Sequence, residues 1–113
     1  MTRETTGTSK YKARPEDIKS PDAIIAALYD ILSGPAGKRN WARLRSLYLE
    51  GARLIPIGKR VHREGELQVL TVDEWIEDAG EYLEENDFYE KEIHRHADRF
   101  GDMIQVFSTY EAR

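Results

Sequence analysis

Two histidines and an aspartate alternate near the end of the sequence, at His94, His96 and Asp98. Every second side chain of a β-strand points to the same face, so in a strand the three groups would stand side by side. Imidazole changes charge near neutral pH, and apolar surroundings raise the pKa of a carboxyl group such as that of Asp98 beside Phe100. The spacing therefore predicts general acid/base chemistry with these three residues as the catalytic candidates.

A metal site is the alternative use of the two histidines. It needs a third ligand, for which the sequence offers Glu92 or His62. Histidine pairs without a third ligand are more often structural residues held by hydrogen bonds. The chain has no Cys, which excludes thiolate ligands, disulfides and a Cys nucleophile. We therefore expect neither a bound metal nor another cofactor.

A hairpin predicted at the end of the chain would position these residues. Gly101-Asp102 is a two-residue turn signal between strands predicted over residues 88–99 and 103–113, and it places Phe100 opposite Met103. One face then carries the pairs Asp98 with Gln105, His96 with Phe107, His94 with Thr109 and Glu92 with Glu111. The other face carries an apolar stripe of Ile93, Ala97, Ile104, Val106 and Tyr110.

Three helices are predicted before this hairpin. Ser20 caps the first, over residues 20–33, Asn40 caps a second that ends at Gly51, and Thr71 forms a capping box with Glu74 at the start of a third. Short apolar runs at 54–57 and 67–70 predict two strands between the second and third helices. The predicted order is helix, helix, strand, strand, helix, strand, strand.

The face that carries the histidines mixes polar groups with aromatic ones, which is typical of a ligand pocket. The helices would add rings to it, so the predicted substrate-binding residues are Tyr48, Trp75, Tyr82, Phe107 and Thr109. Two alternatives stay open at this point. Aromatic residues at helical spacing indicate a core before they indicate a ligand site. The acids of the hairpin, Glu92 among them, can instead pair with Arg95, Arg99 or water, on a face that is partly solvated.

Composition narrows the function classes. A chain of 113 residues forms one domain, and 17 Lys and Arg against 21 Asp and Glu give a net charge of −4, with no basic block that would suit nucleic acid. The sequence contains neither an apolar run of membrane-spanning length nor a secretory signal, which predicts a soluble cytoplasmic protein without a membrane partner. Residues 1–19 are polar and predict a loose tail.

The element order and four segments resemble the NTF2-like superfamily, and within it the SnoaL-like proteins of bacteria. The first is Trp41, which follows a loop that interrupts the helical pattern. The second and third are Ala-Arg-Leu-Ile-Pro-Ile-Gly at 52–58 and Leu-Thr-Val-Asp-Glu-Trp at 70–75. The fourth is Arg-Phe-Gly-Asp at 99–102, followed by Val-Phe-Ser-Thr-Tyr-Glu at 106–111. The resemblance covers residues 20–113. It implies an α+β cone, with three helices packed on a curved antiparallel sheet.

The same resemblance implies two kinds of function, because this superfamily hosts both enzymes and binding modules. The first is a small-molecule pocket protein, an isomerase, cyclase or hydrolase, that uses general acid/base chemistry on an apolar oxygenated substrate. The second is a non-catalytic module for homodimerisation or partner binding, for which the apolar stripe of the hairpin would serve. Domains of this family normally continue with two further strands, so we expect that the last strands are missing from this chain.

Overall fold

A computed structural model describes residues 12–57 and 68–113 of the chain. The described chain has mixed α+β structure, as predicted. The four helices are α1 (Pro15–Ile18), α2 (Pro21–Leu32), α3 (Trp41–Ser46) and α4 (Val72–Glu85). The four strands are β1 (Arg53–Leu54), β2 (Leu70–Thr71), β3 (Glu90–Phe100) and β4 (Met103–Ala112). No described helix has the length and apolar character needed to span a bilayer.

The helix starts follow the capping chemistry of the sequence. The Ser20 hydroxyl accepts a hydrogen bond from the Ala23 N–H at 3.1 Å, and the Asn40 side chain accepts one from the Arg43 N–H at 3.0 Å. Thr71 and Glu74 form the predicted capping box at the start of α4. Each of these bonds satisfies a backbone donor that the first helical turn leaves without a partner. The three predicted helix starts are confirmed.

The strands of the described chain form two separate antiparallel sheets of two strands each. β1 pairs with β2 through Arg53 opposite Thr71 and Leu54 opposite Leu70. The strand predicted over 54–57 is shorter than expected and ends before Pro56, which has no N–H for a sheet hydrogen bond. The loop at 59–65 and Leu67, the predicted start of the next strand, lie outside the described residues.

Within the described residues, the buried apolar core is built from helices. Ile31 of α2, Leu44 of α3 and Ile76 of α4 form its centre, and Leu44 has no exposed surface. The surrounding half-buried residues are Leu28, Trp41, Leu47, Tyr48, Val72 and Trp75. Gly80 is buried in the middle of α4, and a Cβ atom there would lie 3.6 Å from Cζ2 of Trp41.

A buried ion pair ties α1 to α3. Asp17 is buried, and its two carboxylate oxygens accept hydrogen bonds from Nε and Nη2 of Arg43 at 2.9 Å each. Nη1 of Arg43 also donates to the exposed Asp30 at 2.6 Å. The loose tail predicted through Lys19 is therefore wrong for residues 15–18, because Asp17 anchors them. Residues 1–11 lie outside the described part.

The loop after α2 is held by one guanidinium group. Arg39 donates to the backbone carbonyls of Leu32, Pro35 and Gly37 at 2.9 Å each, and to that of Gly34 at 3.1 Å. Gly34 in turn exchanges two backbone hydrogen bonds with Phe88, at 2.7 and 2.9 Å. The loop thereby fastens the end of α2 to the segment that leads into β3.

The β3–β4 hairpin has the predicted register from His94 opposite Thr109 to Phe100 opposite Met103. An irregularity between Glu92 and His94 leaves Ile93 without a partner, as in a β-bulge. The predicted pairs of Glu92 with Glu111 and Ile93 with Tyr110 are therefore wrong. The extra residue shifts the register by one, and Glu92 lies opposite Tyr110 instead.

Helix α2 lies along the first half of the hairpin in the opposite direction to β3. Near its start, Asp22 pairs with Arg95. At its centre, the Tyr29 hydroxyl lies 2.7 Å from that of Ser108, and after its end the Ser33 hydroxyl accepts from the Glu90 N–H at 2.9 Å. The hairpin beyond Arg95 and Ser108 extends past the start of α2.

Candidate functional site

The three predicted catalytic residues lie on the outer face of the hairpin. Arg95 and Ser108 face α2, so the neighbouring positions His94 and His96 turn the other way. Nε2 of His96 lies 3.0 Å from Oδ1 of Asp98, and these two side chains are 60% and 65% exposed. The prediction that the histidine face and the aromatic residues of the helices line one pocket is therefore wrong. A catalytic role for the three residues stays a prediction.

The predicted substrate-binding residues are divided among three places. Phe107 and Thr109 share the exposed face of the histidines, with the Phe107 ring centroid 6.4 Å from that of His96. Tyr48 packs against the helical core, where burial raises the pKa of its hydroxyl, and it borders a cavity of about 180 Å³ beside Thr71. Trp75 and Tyr82 lie together in the third place, between α4 and the hairpin.

The apolar stripe predicted on the other hairpin face is partly covered by the same chain. Tyr110 makes an edge-to-face contact with Tyr29 of α2, with ring centroids 5.8 Å apart. Ile93 belongs to the bulge and is exposed. The stripe is therefore not one continuous free surface, because α2 contacts it at Tyr110.

Trp75 and Tyr82 line a groove between α4 and the base of the hairpin, which we call the α4 groove. Trp75, Ala79, Tyr82 and Leu83 are spaced so that they lie on one side of the helix. The groove has a volume of about 310 Å³. The described residues that line it are Leu32, Trp75, Ala79, Tyr82, Leu83, Phe88, Glu90 and Tyr110.

Among the described residues, Glu90 is the only acidic residue that lines this groove. Its backbone N–H is fixed by Ser33, which holds the start of β3 against the end of α2. Within residues 12–57 and 68–113, no side chain or backbone group donates a hydrogen bond to its carboxylate, and no cation pairs with it. Burial raises the pKa of this carboxyl group. As far as the described residues show, Glu90 thus presents a half-buried acid without a hydrogen-bond partner to an apolar space.

Glu92 has the opposite environment although it is two residues away. Arg95 donates to it through Nε at 2.9 Å and through a second guanidinium nitrogen, and the Ser108 hydroxyl donates to the same carboxylate. The Arg95 and Ser108 hydrogen bonds lower the pKa of Glu92. When environments separate the pKa values of two neighbouring carboxyl groups, one can hold a proton while the other stays ionised.

Phenol groups approach the site of Glu90. Burial raises the pKa of the Tyr110 hydroxyl, and the charges of Glu90 and Tyr29 raise it further. Tyr82 makes an edge-to-face contact with Phe88 at a centroid distance of 6.4 Å. The groove therefore offers one carboxyl group, two phenols and otherwise apolar walls, an arrangement suited to proton transfer to a bound molecule.

Sequence reasoning missed Glu90 and selected His94, His96 and Asp98 instead. The signal that could have found it is the aromatic residue on either side, Phe88 two residues before it and Tyr110 in the partner strand. No described set of three His, Asp or Glu side chains is arranged to hold a metal ion. His62, the other predicted third ligand, lies outside the described residues.

Comparison of the chain with known protein families, with curated proteins and with solved structures finds no match. The case for a function therefore depends on the groove itself.

Proposed function

We propose that this protein binds a small, apolar, oxygenated molecule in the α4 groove, with Glu90 as the polar contact. The observation that carries the proposal is the half-buried Glu90 carboxyl group, which has no donor among the described residues. Among the described residues no buried side-chain oxygen lacks a partner, so the Glu90 oxygens keep some contact with water. A carboxyl group that is partly withdrawn from water without gaining a hydrogen bond still costs part of its solvation free energy. A hydroxyl group of a ligand could donate to the ionised carboxylate, and a carbonyl oxygen of a ligand could accept from the protonated acid.

The size and the walls of the groove favour this class of ligand. Its volume of about 310 Å³ is at the lower end of the range for small-molecule sites. The rings of Trp75, Tyr82 and Phe88 provide flat apolar contacts for a compact ring system. We propose one or two fused rings with a single oxygen function directed at Glu90.

The chemistry proposed for the groove is general acid/base catalysis, as in an isomerase, cyclase or hydrolase. A protonated Glu90 can donate to a carbonyl oxygen of the ligand, and an ionised Glu90 can remove a proton from an adjacent carbon or hydroxyl. Burial raises the pKa of Glu90 above its ordinary value, which favours such a role. Glu92 stays ionised beside Arg95, so it does not compete for the proton.

Three related compounds test the binding proposal: 1-indanone with a carbonyl group, 2-indanol with a hydroxyl group, and indane with neither. We expect the two oxygenated compounds to shift the NMR signals of the Trp75 indole and of the amides around Ala79. The Glu90→Leu variant should weaken their binding about tenfold, which corresponds to about 1.4 kcal/mol, and leave indane binding unchanged or stronger.

Glu77→Gln is the matched control, because Glu77 is an exposed acid on α4 that does not line the groove. It should bind all three compounds as the unchanged protein does. Equal affinity for indane and 1-indanone in the unchanged protein would contradict the role of Glu90. Signal shifts confined to residues outside the groove would contradict the site.

The NTF2-like cone of the SnoaL-like type is the fold that we propose for the complete domain. The order of the described helices and strands supports it, as does a groove between a helix and a long antiparallel hairpin. Among the described residues the two strand pairs form separate sheets, so the cone requires that they join in one curved sheet. An experimental structure of the whole chain that keeps them apart would contradict the cone.

A further inference from the structure

The α4 groove combines aromatic rings with one carboxyl group and carries no positive charge of its own. Among the described residues its lining contains neither Lys, Arg nor His, and it includes four aromatic side chains: Trp75, Tyr82, Phe88 and Tyr110. The carboxyl group is that of Glu90. The face of an aromatic ring attracts a cation, and sites that recognise ammonium groups are built from several such rings. The composition of the groove therefore suits a positively charged ligand.

The neighbouring cations of the described chain do not neutralise Glu90. Arg95, further along the same strand, is held by Glu92, and Arg39 in the loop after α2 donates to backbone carbonyls. Lys91 is the next residue of β3, and its side chain points to the opposite face of the strand. A carboxylate that is half withdrawn from water is stabilised by a cation beside it. Within the described residues that cation is not supplied by the chain, so a ligand can supply it.

The rim of the groove on the α4 side is negative as well. Seven of the 14 residues of α4 are acidic and none is basic. Asp78 and Glu85 each lie three positions after a ring of the groove, Trp75 and Tyr82 respectively, so they are neighbours of these rings on the helix surface. Both acids are exposed. Exposed charges add little to the strength of a contact, but charges of one sign beside a cleft raise the local concentration of an oppositely charged ligand.

We propose that the α4 groove also binds compact ring compounds that carry a protonated amine, and binds them more tightly than neutral compounds of the same shape. The ammonium group donates to the Glu90 carboxylate, and the ring packs against the aromatic walls. A hydrogen bond between two ions is stronger than one between an ion and a neutral hydroxyl group. This inference rests on the binding site of the proposed function and adds a ligand class to it. Amines and oxygenated compounds exclude one another, because both use Glu90.

A matched pair of probes, 2-aminoindane and 2-indanol, tests the preference for a cation. The two compounds share one ring frame and differ in the group on the same carbon. The amine is protonated at neutral pH, as the Lys side chain is. In NMR titrations followed at the Trp75 indole, the dissociation constant of 2-aminoindane should be lower than that of 2-indanol by about fivefold or more. Added 2-aminoindane should also displace bound 2-indanol.

The Glu90→Gln variant tests the counter-ion, because it removes the charge and keeps the size of the side chain. It should weaken 2-aminoindane binding about tenfold and 2-indanol binding by less than about threefold, since the amide oxygen still accepts from a hydroxyl group. The matched control is Glu77→Gln, which removes an exposed acid from the side of α4 away from the groove and should leave both dissociation constants unchanged. Circular dichroism checks that both variants keep their fold.

The results separate this inference from the proposed function. Equal affinity of the unchanged protein for the two probes, or an equal loss for both in Glu90→Gln, would overturn the preference for amines. The proposed binding of oxygenated compounds would then still stand if 2-indanol binds more tightly than indane. Signal shifts by 2-aminoindane that are confined to the exposed acids of α4 would show attraction to the rim alone and would overturn the inference too. If neither probe shifts the Trp75 signal, both proposals fail.

Discussion

The helical part of the molecule and the β3–β4 hairpin are built in different ways. Ile31, Leu44 and Ile76 are buried where three helices meet, and the buried Asp17–Arg43 pair fastens α1 to them. No described residue of β3 or β4 is buried. The hairpin is held by polar contacts along α2 and by the paired backbones of Gly34 and Phe88.

This difference shows where stability and function lie. An apolar core gives the helices stability of their own, whereas a two-stranded hairpin is marginal without a partner surface. We therefore expect the hairpin to open more readily than the helices. The proposed function concerns its border with the helices, because the α4 groove lies where the hairpin meets α4.

The largest expected effect is in the helical part, where Arg43 contacts one buried and one exposed carboxylate. Asp17→Leu should lower the free energy of unfolding by about 3 to 5 kcal/mol, because it leaves the Arg43 guanidinium partly buried without its main partner. Asp30→Leu should cost less than about 1 kcal/mol, since the Asp30 side chain is 71% exposed. Urea denaturation measures both, and similar losses in the two variants would remove the distinction between a buried and a surface anchor.

A smaller effect is expected where the hairpin meets α2. Glu92→Gln should lower the free energy of unfolding by about 1 to 2 kcal/mol, because the carboxylate accepts from both Arg95 and Ser108. The exposed Glu111→Gln on β4 is the control and should change it by less than about 0.5 kcal/mol. Amide hydrogen exchange should show that Glu92→Gln loosens the hairpin while α4 stays protected. Equal loosening of α4 would mean that the two regions unfold as one unit.

The pH dependence should separate Glu90 from Glu92. The pKa of Glu90 is raised in the folded protein, so its contribution to stability is present below the ordinary value of 4.5 and is lost as pH rises through the raised value. The pKa of Glu92 is lowered, so its contribution is present above 4.5 and is lost as pH falls. Relative to the unchanged protein, Glu90→Gln should gain stability between pH 4 and pH 7, and Glu92→Gln should lose it. Melting temperatures at the two pH values measure this, and changes of the same sign would refute the assignment.

The smallest expected effect is at Gly80 in α4. Space for a methyl group exists there, since a Cβ would lie 3.6 Å from the Trp41 ring, an ordinary contact distance. Gly80→Ala should therefore raise the free energy of unfolding by about 0.5 to 1 kcal/mol, because glycine is a poor helix former. Ala26→Gly, on an exposed position of α2, is the reverse change and should lower it by a similar amount. Destabilisation by Gly80→Ala would mean that the helices pack there without room to adjust.

Local chemistry explains which parts of the fold could be predicted. The caps Ser20, Asn40 and Thr71 each act within one helical turn, and Gly101, with a φ of 57°, closes the hairpin at the predicted place. These signals depend on residues a few positions apart, so the sequence displays them directly. The register from His94 to Met103 follows from the same turn.

The candidate site could not be predicted in the same way, because it depends on contacts between distant parts of the chain. The hairpin face that meets α2 carries Arg95 and Ser108, which sequence reasoning treats as polar and therefore not as the buried side. The bulge at Ile93 has no clear mark in the sequence, yet it decides how Glu92 and the residues before it are paired. The anchor formed by Asp17 and Arg43 joins residues 26 positions apart.

The Arg39 clamp after α2 has a mechanical consequence. Of the four carbonyls that it binds, one ends α2 and three belong to the loop on which Gly34 joins Phe88, so the clamp lies where the hairpin is attached to α2. The eleven residues of β3 extend about 35 Å from that point, so tilting the joint by about 5° would displace Phe100 by about 3 Å. The Arg39 guanidinium group thus helps to fix the orientation of the hairpin relative to α2. A looser attachment there would let the turn of the hairpin move over a larger distance.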